Sequence, residues 1–420
     1  MALTGTLIIS LLLTSMLFVV IPCSKAAFQG PQVQWSRTYP ASTLPMAKVI
    51  QALDGGYAIV GNNATNDYQG VKIGNRAMVI KTDSYGKVQW AKTYGSEFGV
   101  GANVLTIVQT RDSGFAICSY SASGWLLKTD AQGNVQWNTT VSVVLAGETD
   151  FTSLAETNDL GFVLTYEGWF GNMSGGYTGL LKTDANGHTL WSTIYSTETS
   201  AANAGAYARA AYQTAEGEYV LIGSWRSNAW FAKTDSTGKL ELNKTYEYGA
   251  FNSISNSTDG GYILCGSDGF GVGLLTKVDS QGNVLWNQFF SGRSGKGCFL
   301  DSVNTTSDRG YVVAGFLYDS ALNYGFLART DSSGNIMWNT TYDGRINEGA
   351  SSIIITDDNG FAIVGSRDNS IWFDKIALET VSASNESSPF LTSLIVAVAV
   401  TVIVIIVGIA FQVYFKSRKR

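Results

Sequence analysis

At 420 residues the chain could hold two or three domains on length alone. It carries 28 basic and 33 acidic residues, and five basic ones (Lys25, Lys416, Arg418, Lys419 and Arg420) sit near the ends. Residues 27–389 therefore carry a net charge of −10 with no basic face, which argues against nucleic acid as a partner.

Residues 1–26 read as a signal peptide. An uncharged apolar run from Leu7 to Ile21 leads to Ser24-Lys25-Ala26, a small-x-small site before Ala27. The leader has no Lys or Arg in its first residues, so retention as an uncleaved anchor is the alternative to cleavage. Gln32–Tyr39 follows as an isolated strand ending Trp35-Ser36-Arg37-Thr38-Tyr39.

Two signatures then alternate along the chain. The first is Asp-x-Gly-aromatic, as in Asp54-Gly55-Gly56-Tyr57, Asp112 to Phe115, Asp159 to Phe162, Asp259 to Tyr262, Asp308 to Tyr311 and Asp358 to Phe361. Glu216-Gly217-Glu218-Tyr219 is its weakest copy. The second is Lys-Thr-Asp-x-x-Gly-x-x-x-Trp, as in Lys81 to Trp90, Lys128 to Trp137, Lys182 to Trp191, Lys277 to Trp286 and Arg329 to Trp338. Lys233 to Leu242 lacks the Trp. Asp accepts backbone hydrogen bonds in a tight turn, and Gly takes a positive φ. With apolar or alternating residues on both sides, each signature is a hairpin turn.

Each unit thus has four strands, a to d, with Asp-x-Gly in the a–b turn and Asp-x-x-Gly in the c–d turn. Four short strands at a period of about 50 residues form the blade of a β-propeller. Seven Asp-x-Gly copies predict an all-β, seven-bladed propeller over 30–378. The seventh unit ends after strand c (Ile371–Lys375), and the missing strand d is Val33–Tyr39, so the amino-terminal strand closes the ring.

The a–b and c–d turns stay short, while d–a and b–c connections vary and share one face. Asn62–Asn75, Glu167–Tyr177 and Thr197–Tyr207 are the long ones. This variable face is the expected binding surface. Aromatic and charged residues in or beside its connections are the candidates: Trp169, Phe170, Trp225, Arg226, Tyr318, Asp319, Tyr324, Arg367 and Asp368. Rim packing is the competing reading for all of them.

Residues 379–389 read as a polar stalk. Residues 390–415 form an uncharged aliphatic run longer than the roughly 20 residues that cross a bilayer. Residues 416–420 are a basic tail of the cytoplasmic side. One transmembrane helix would hold the propeller outside the cell membrane, its turn face toward the bilayer and its variable face outward. Eight Asn-x-Ser/Thr sites (Asn63, Asn138, Asn172, Asn243, Asn256, Asn304, Asn339 and Asn385) permit glycosylation there.

Little points to catalysis. The one histidine, His188, falls in a c–d turn, so neither a Ser/His/Asp nor a Cys/His pair reaches beyond that turn. Cys118 and Cys265 share the strand-b position of Val60 and read as small buried hydrophobes, and Cys298 is left over. No metal spacing and no cofactor is expected. The repeats resemble those of secreted and surface propellers of archaea and bacteria, and distantly those of WD40-type propellers. The segment Thr82-Asp83 to Trp90 also resembles the tryptophan-docking motif of quinoprotein propellers, with the Asp-to-Gly spacing one residue shorter. It is similar to the Asp-box of sialidases, with the spacing one residue longer. Neither activity is implied.

The expected function is therefore a non-catalytic binding, adhesion or envelope-organising module with an extracellular protein or glycan partner. The alternatives are a glycan-cleaving enzyme using carboxylates such as Glu97, Asp150, Glu167 or Asp301, and a purely structural envelope component. The enzyme needs two carboxyls within about 5–10 Å of each other.

Overall fold

The computed structural model describes residues 32–377, apart from 41–46, 67–71, 96–102, 121–123, 141–146, 171–175, 198–205, 248, 292–296, 320–321, 347, 359 and 368–369. The expected leader, stalk, transmembrane helix and tail lie outside the described residues. Among the described residues no helix is long and apolar enough to cross a membrane.

The strands are β1 (Val33–Pro40) and seven sets that follow the repeat. Blade one holds β2 (Lys48–Gln51), β3 (Tyr57–Asn66), β4 (Lys72–Thr82) and β5 (Val88–Tyr94). Blade two holds β6 (Asn103–Gln109), β7 (Phe115–Tyr120), β8 (Trp125–Thr129) and β9 (Val135–Thr140). Blade three holds β10 (Gly147–Glu156), β11 (Phe162–Phe170), β12 (Gly176–Thr183) and β13 (Thr189–Thr197). Blade four holds β14 (Ala206–Gln213), β15 (Tyr219–Trp225), β16 (Asn228–Thr234) and β17 (Leu240–Tyr246). Blade five holds β18 (Ala250–Asn256), β19 (Tyr262–Ser267), β20 (Gly273–Val278) and β21 (Val284–Phe290). Blade six holds β22 (Gly297–Thr305), β23 (Tyr311–Asp319), β24 (Leu322–Thr330) and β25 (Ile336–Ile346). Blade seven holds β26 (Glu348–Ile355), β27 (Phe361–Arg367) and β28 (Ser370–Ile376).

These strands make seven four-stranded antiparallel sheets. The seventh has the order β1-β28-β27-β26, and Trp35 pairs with Lys375 and Tyr39 with Ile371. The amino-terminal strand therefore supplies the outer strand of the last blade, as the repeat count requires. The first strands of the blades touch in sequence around the ring, and β2 touches β26. They line a central channel.

The two signatures meet at each blade junction. The Trp of strand d packs edge-on against the aromatic of Asp-x-Gly-aromatic in the next blade: Trp35 on Tyr57 at 6.0 Å, Trp90 on Phe115 at 6.0 Å, Trp137 on Phe162 at 5.9 Å. The same rings cover the c–d glycine of the next blade, where a Cβ on Gly133 would come within 2.9 Å of Trp90. Tyr39, Tyr94, Tyr195 and Tyr246 donate to the carbonyls of Gly86, Gly133, Gly238 and Gly282. Blade four has Leu242 for Trp, and there Phe231 takes over, lying on Tyr262 at 5.5 Å and against Gly282.

Both turns are closed by an i→i+3 backbone hydrogen bond from a left-handed residue, Gly55 N–H to Ala52 O and Gly86 N–H to Asp83 O in blade one. In the c–d turn Gly86 has φ 74°, and Asp83 accepts from the backbone N–H groups of Tyr85 and Lys87. In the a–b turn the left-handed residue is the x of Asp-x-Gly (Gly55, Ser113, Leu160, Arg309). The glycine after it is needed for a different reason: a Cβ on Gly56 would lie 2.1 Å from the Thr82 carbonyl oxygen.

The repeated lysine is more than a turn residue. Lys81 Nζ donates to both Asp54 oxygens (2.9 and 2.7 Å) and to Thr82 O, and so ties the a–b turn to the start of the c–d turn. Lys128–Asp112, Lys182–Asp159, Lys277–Asp259, Arg329–Asp308 and Lys375–Asp358 repeat the pair, with cation side chains only 3–7 % exposed. In blade four Glu218 occupies the glycine position, and Lys233 pairs with it at 2.8 Å while 15 % exposed. Burial raises Asp112 and Asp159, but hydrogen bonds from the lysines and neighbouring threonines outweigh it and hold both carboxyls down at about 2.

Candidate functional site in the central channel

The inner strands carry a recurring irregularity. In β10, β14, β18 and β22 the register slips by one, leaving Thr152, Arg209, Asn252 and Asp301 as the extra residues. A bulge re-aims one side chain without ending the ladder. All four stand five residues before the a–b turn, at one level of the channel.

Two of these residues stitch neighbouring blades. Thr152 Oγ1 donates to Ala208 O at 2.6 Å, and Asn252 Nδ2 donates to Leu300 O at 2.9 Å. The other two are charged. Arg209 is exposed, whereas Asp301 and Lys48 of β2 are half-buried. Burial pushes the Asp301 carboxyl up to about 6, against the pull of Lys48 and Arg209. Burial likewise lowers Lys48, against Asp301. Blades one, four and six are not neighbours, so charges on them reach one another only across the channel.

A second group adjoins Arg209. Asp150 and Glu167 are directly opposed in the β10–β11 ladder and so share one face of blade three. Burial raises Glu167, opposed by Arg209 and reinforced by Asp150. Its Oε2 is buried without a hydrogen-bond donor. Burial, then Glu167, raises the hydroxyl of Tyr207 as well, with Arg209 opposing. Arg209 thus lies within the field of both Asp301 and the Asp150–Glu167 pair. Buried ionisable groups with perturbed titration in a concavity mark functional sites more often than plain scaffold.

Of the surface candidates, Trp225 and Tyr324 are half-buried against the cores of blades four and six. Arg226 is exposed in the hairpin that joins β15 to β16, at φ 51°. Tyr318 is 51 % exposed at the end of β23. Trp169, Phe170, Asp319 and Arg367 end strands beside the b–c connections, and Asp368 lies outside the described residues. Among the predicted carboxylates, Asp150 and Glu167 are a pair, Asp301 stands apart on blade six, and Glu97 lies outside the described residues.

Two connections expected as long loops are partly strand. Asn62–Asn75 is an arm in which β3 and β4 pair as far as Asn66 and Lys72. Glu167–Tyr177 continues the β11–β12 ladder to Trp169 and Gly176. Sequence reading missed Lys48 and Arg209. For Lys48 the only signal is a charge at a first-strand position that holds Ser, Thr or Ala in the other copies; Arg209 shares its position with Asn252 and Asp301, so its only signal is that the position varies.

His188 is 78 % exposed and sits 3.0 Å from Asp184 within its turn. Cys118, Cys265 and Cys298 are buried free thiols. Burial raises all three out of the range of thiolate chemistry. Among the described residues no group of three His, Cys, Asp or Glu side chains is arranged to hold a metal.

Comparison with solved structures shows the fold. BBS1N, solved in complex with ARL6DN, matches with a TM-score of 0.51 at 10% identity, over 85% of this chain and 99% of that one. The Dos1 propeller matches with a TM-score of 0.47 at 11% identity, over 82% and 95%. A protein of unknown function from Bacteroides caccae matches with a TM-score of 0.45 at 13% identity, over 68% and 94%. No family model and no curated protein matches the sequence. The chain is a seven-bladed β-propeller, a fold that serves many unrelated activities.

Proposed function

We propose that the chain is a single-pass, cell-surface propeller acting as a non-catalytic binding module, whose variable face and channel cluster receive an extracellular protein or glycan. The observation that carries this reading is the convergence of Lys48, Arg209 and Asp301 from three non-adjacent blades. The ring closes through its Trp and Lys–Asp repeats without these charges. Half-burying Lys48 and Asp301 opposes stability, so a ligand-facing role explains them better than packing. The arms after β3 and β11 supply the rim around the cluster. A glycan-array and surface-protein screen with the propeller, repeated with Arg209→Ala and Asp301→Ala, tests this. Binding that both variants weaken at least tenfold supports the reading; binding that both leave intact removes the channel from it. No binding at all favours the structural envelope component.

A second reading has its own observation, the opposed Asp150–Glu167 pair with Glu167 raised. Directly opposed residues bring carboxyls to roughly the 5 Å used by retaining glycosidases. In that reading Glu167 is the acid and Asp150 the nucleophile. Glycan release by the propeller that Glu167→Gln abolishes would favour it; intact glycan recovered after prolonged incubation with wild type excludes it for that glycan.

A further inference from the structure

The three acceptor sites of the outer rim occupy one repeat position. Asn138, Asn243 and Asn339 each follow the Trp (or Leu242) of strand d, on β9, β17 and β25. These are the outermost strands of blades two, four and six, so the sites recur at every second blade. In each, both the asparagine and the threonine two residues on (Thr140, Thr245 and Thr341) are exposed. On blade four Asn243 Oδ1 accepts from Trp230 Nε1 at 2.7 Å, which turns the carbonyl inward and leaves Nδ2 outward.

The site Asn304 is its opposite. It lies on the inner strand β22, its Nδ2 donates to Ile353 O of blade seven at 2.7 Å, and Thr306 is buried. Sugar on that nitrogen would break a blade-to-blade bond and have no room in the ring.

We infer that Asn138, Asn243 and Asn339 carry N-linked glycans that form a belt around the rim, while Asn304 stays bare. The transfer forms a bond from Asn Nδ2 to C1 of the first sugar. It breaks the bond from C1 to the phosphate of a lipid-linked oligosaccharide donor, and the amide proton leaves with the phosphate. The belt has a physical consequence. Each outer strand presents unpaired N–H and C=O groups, the surface on which sheets join edge to edge. Sugar on alternate blades blocks that approach and leaves the variable face as the accessible docking surface. The inference rests on the outside location proposed above.

The test is glycopeptide mass spectrometry of the full chain purified from its own cells, with protease accessibility on intact cells read in parallel. The expected result is sugar on the three rim peptides, lost singly in Asn138→Gln, Asn243→Gln and Asn339→Gln, and none on the Asn304 peptide. Blade five offers a gain of function. Asn287 holds the same exposed position, but Phe289, also exposed, stands where the threonine is needed. Phe289→Thr should add a fourth glycan. Bare rim peptides on a propeller that protease reaches, or sugar on Asn304, would overturn the belt and leave the location standing. A propeller that protease cannot reach on intact cells would overturn the location and the belt together.

Discussion

The turn end of the wheel and its channel titrate in opposite directions. At the turns Asp112 and Asp159 are held at about 2 by buried lysines and threonine hydroxyls, so ionisation and folding favour each other. In the channel Asp301 is pushed up to about 6 and Glu167 is raised, so ionisation and folding oppose each other. The turn end repeats one solution in blade after blade. The channel residues differ from blade to blade, with Thr152 and Asn252 bonded between blades, Arg209 exposed and Asp301 half-buried beside Asn252. A position that must only stabilise tends to be the same in every repeat, whereas a position that must recognise something has no reason to be.

The largest expected difference between the two ends is in packing. Trp137→Ala removes a ring wedged between blades two and three and should lower unfolding free energy by about 3–4 kcal/mol in urea titrations. A loss under about 1 kcal/mol would mean that the junction does not depend on the wedge. Next comes Lys128→Met, which should cost about 1–3 kcal/mol, since the half-exposed Asp112 can rehydrate. The Lys128–Asp112 contribution is present above pH 4 and is lost as pH falls toward 2, because the folded carboxyl lies below its unfolded value. The variant should therefore lose the part of the acid-unfolding slope due to this pair.

Asp301→Asn sharpens the contrast because its sign is reversed. A carboxyl raised to about 6 favours folding when protonated, and that contribution fades as pH rises from about 4 through 6. Replacing it should flatten stability against pH in that window by up to about 2 kcal/mol and leave the slope below pH 4 unchanged. A slope identical to wild type would show that the carboxyl is well hydrated in the channel. The smallest stability effect is expected for trimming the β3–β4 arm to a short turn after Asn62, under about 0.5 kcal/mol, because surface connections are tolerant to length. Its expected effect is on ligand capture, and a large loss of stability there would make the arm part of the scaffold.

The division between the two ends is also the division between what was legible early and what was not. Asp83, Gly86 and Trp90 announce a turn and a wedge by local chemistry, and local chemistry survives translation from blade to blade. Closure by Val33–Pro40 was legible because the strand copies Val88–Tyr94. The Lys81–Asp54 pair was hidden, although both residues belong to visible signatures, because 27 residues separate them and only the a–b–c order of strands brings them together.

Composition and repeat by themselves determined the blade, the blade count and the way the ring closes, since hairpin turns and alternating strands are dictated within a few residues. Tertiary structure alone decided which charges share the channel. Lys48, Arg209 and Asp301 belong to blades one, four and six, and no spacing along a chain encodes that inner strands so far apart, two of them bulged at Arg209 and Asp301, will aim these charges at the same axis.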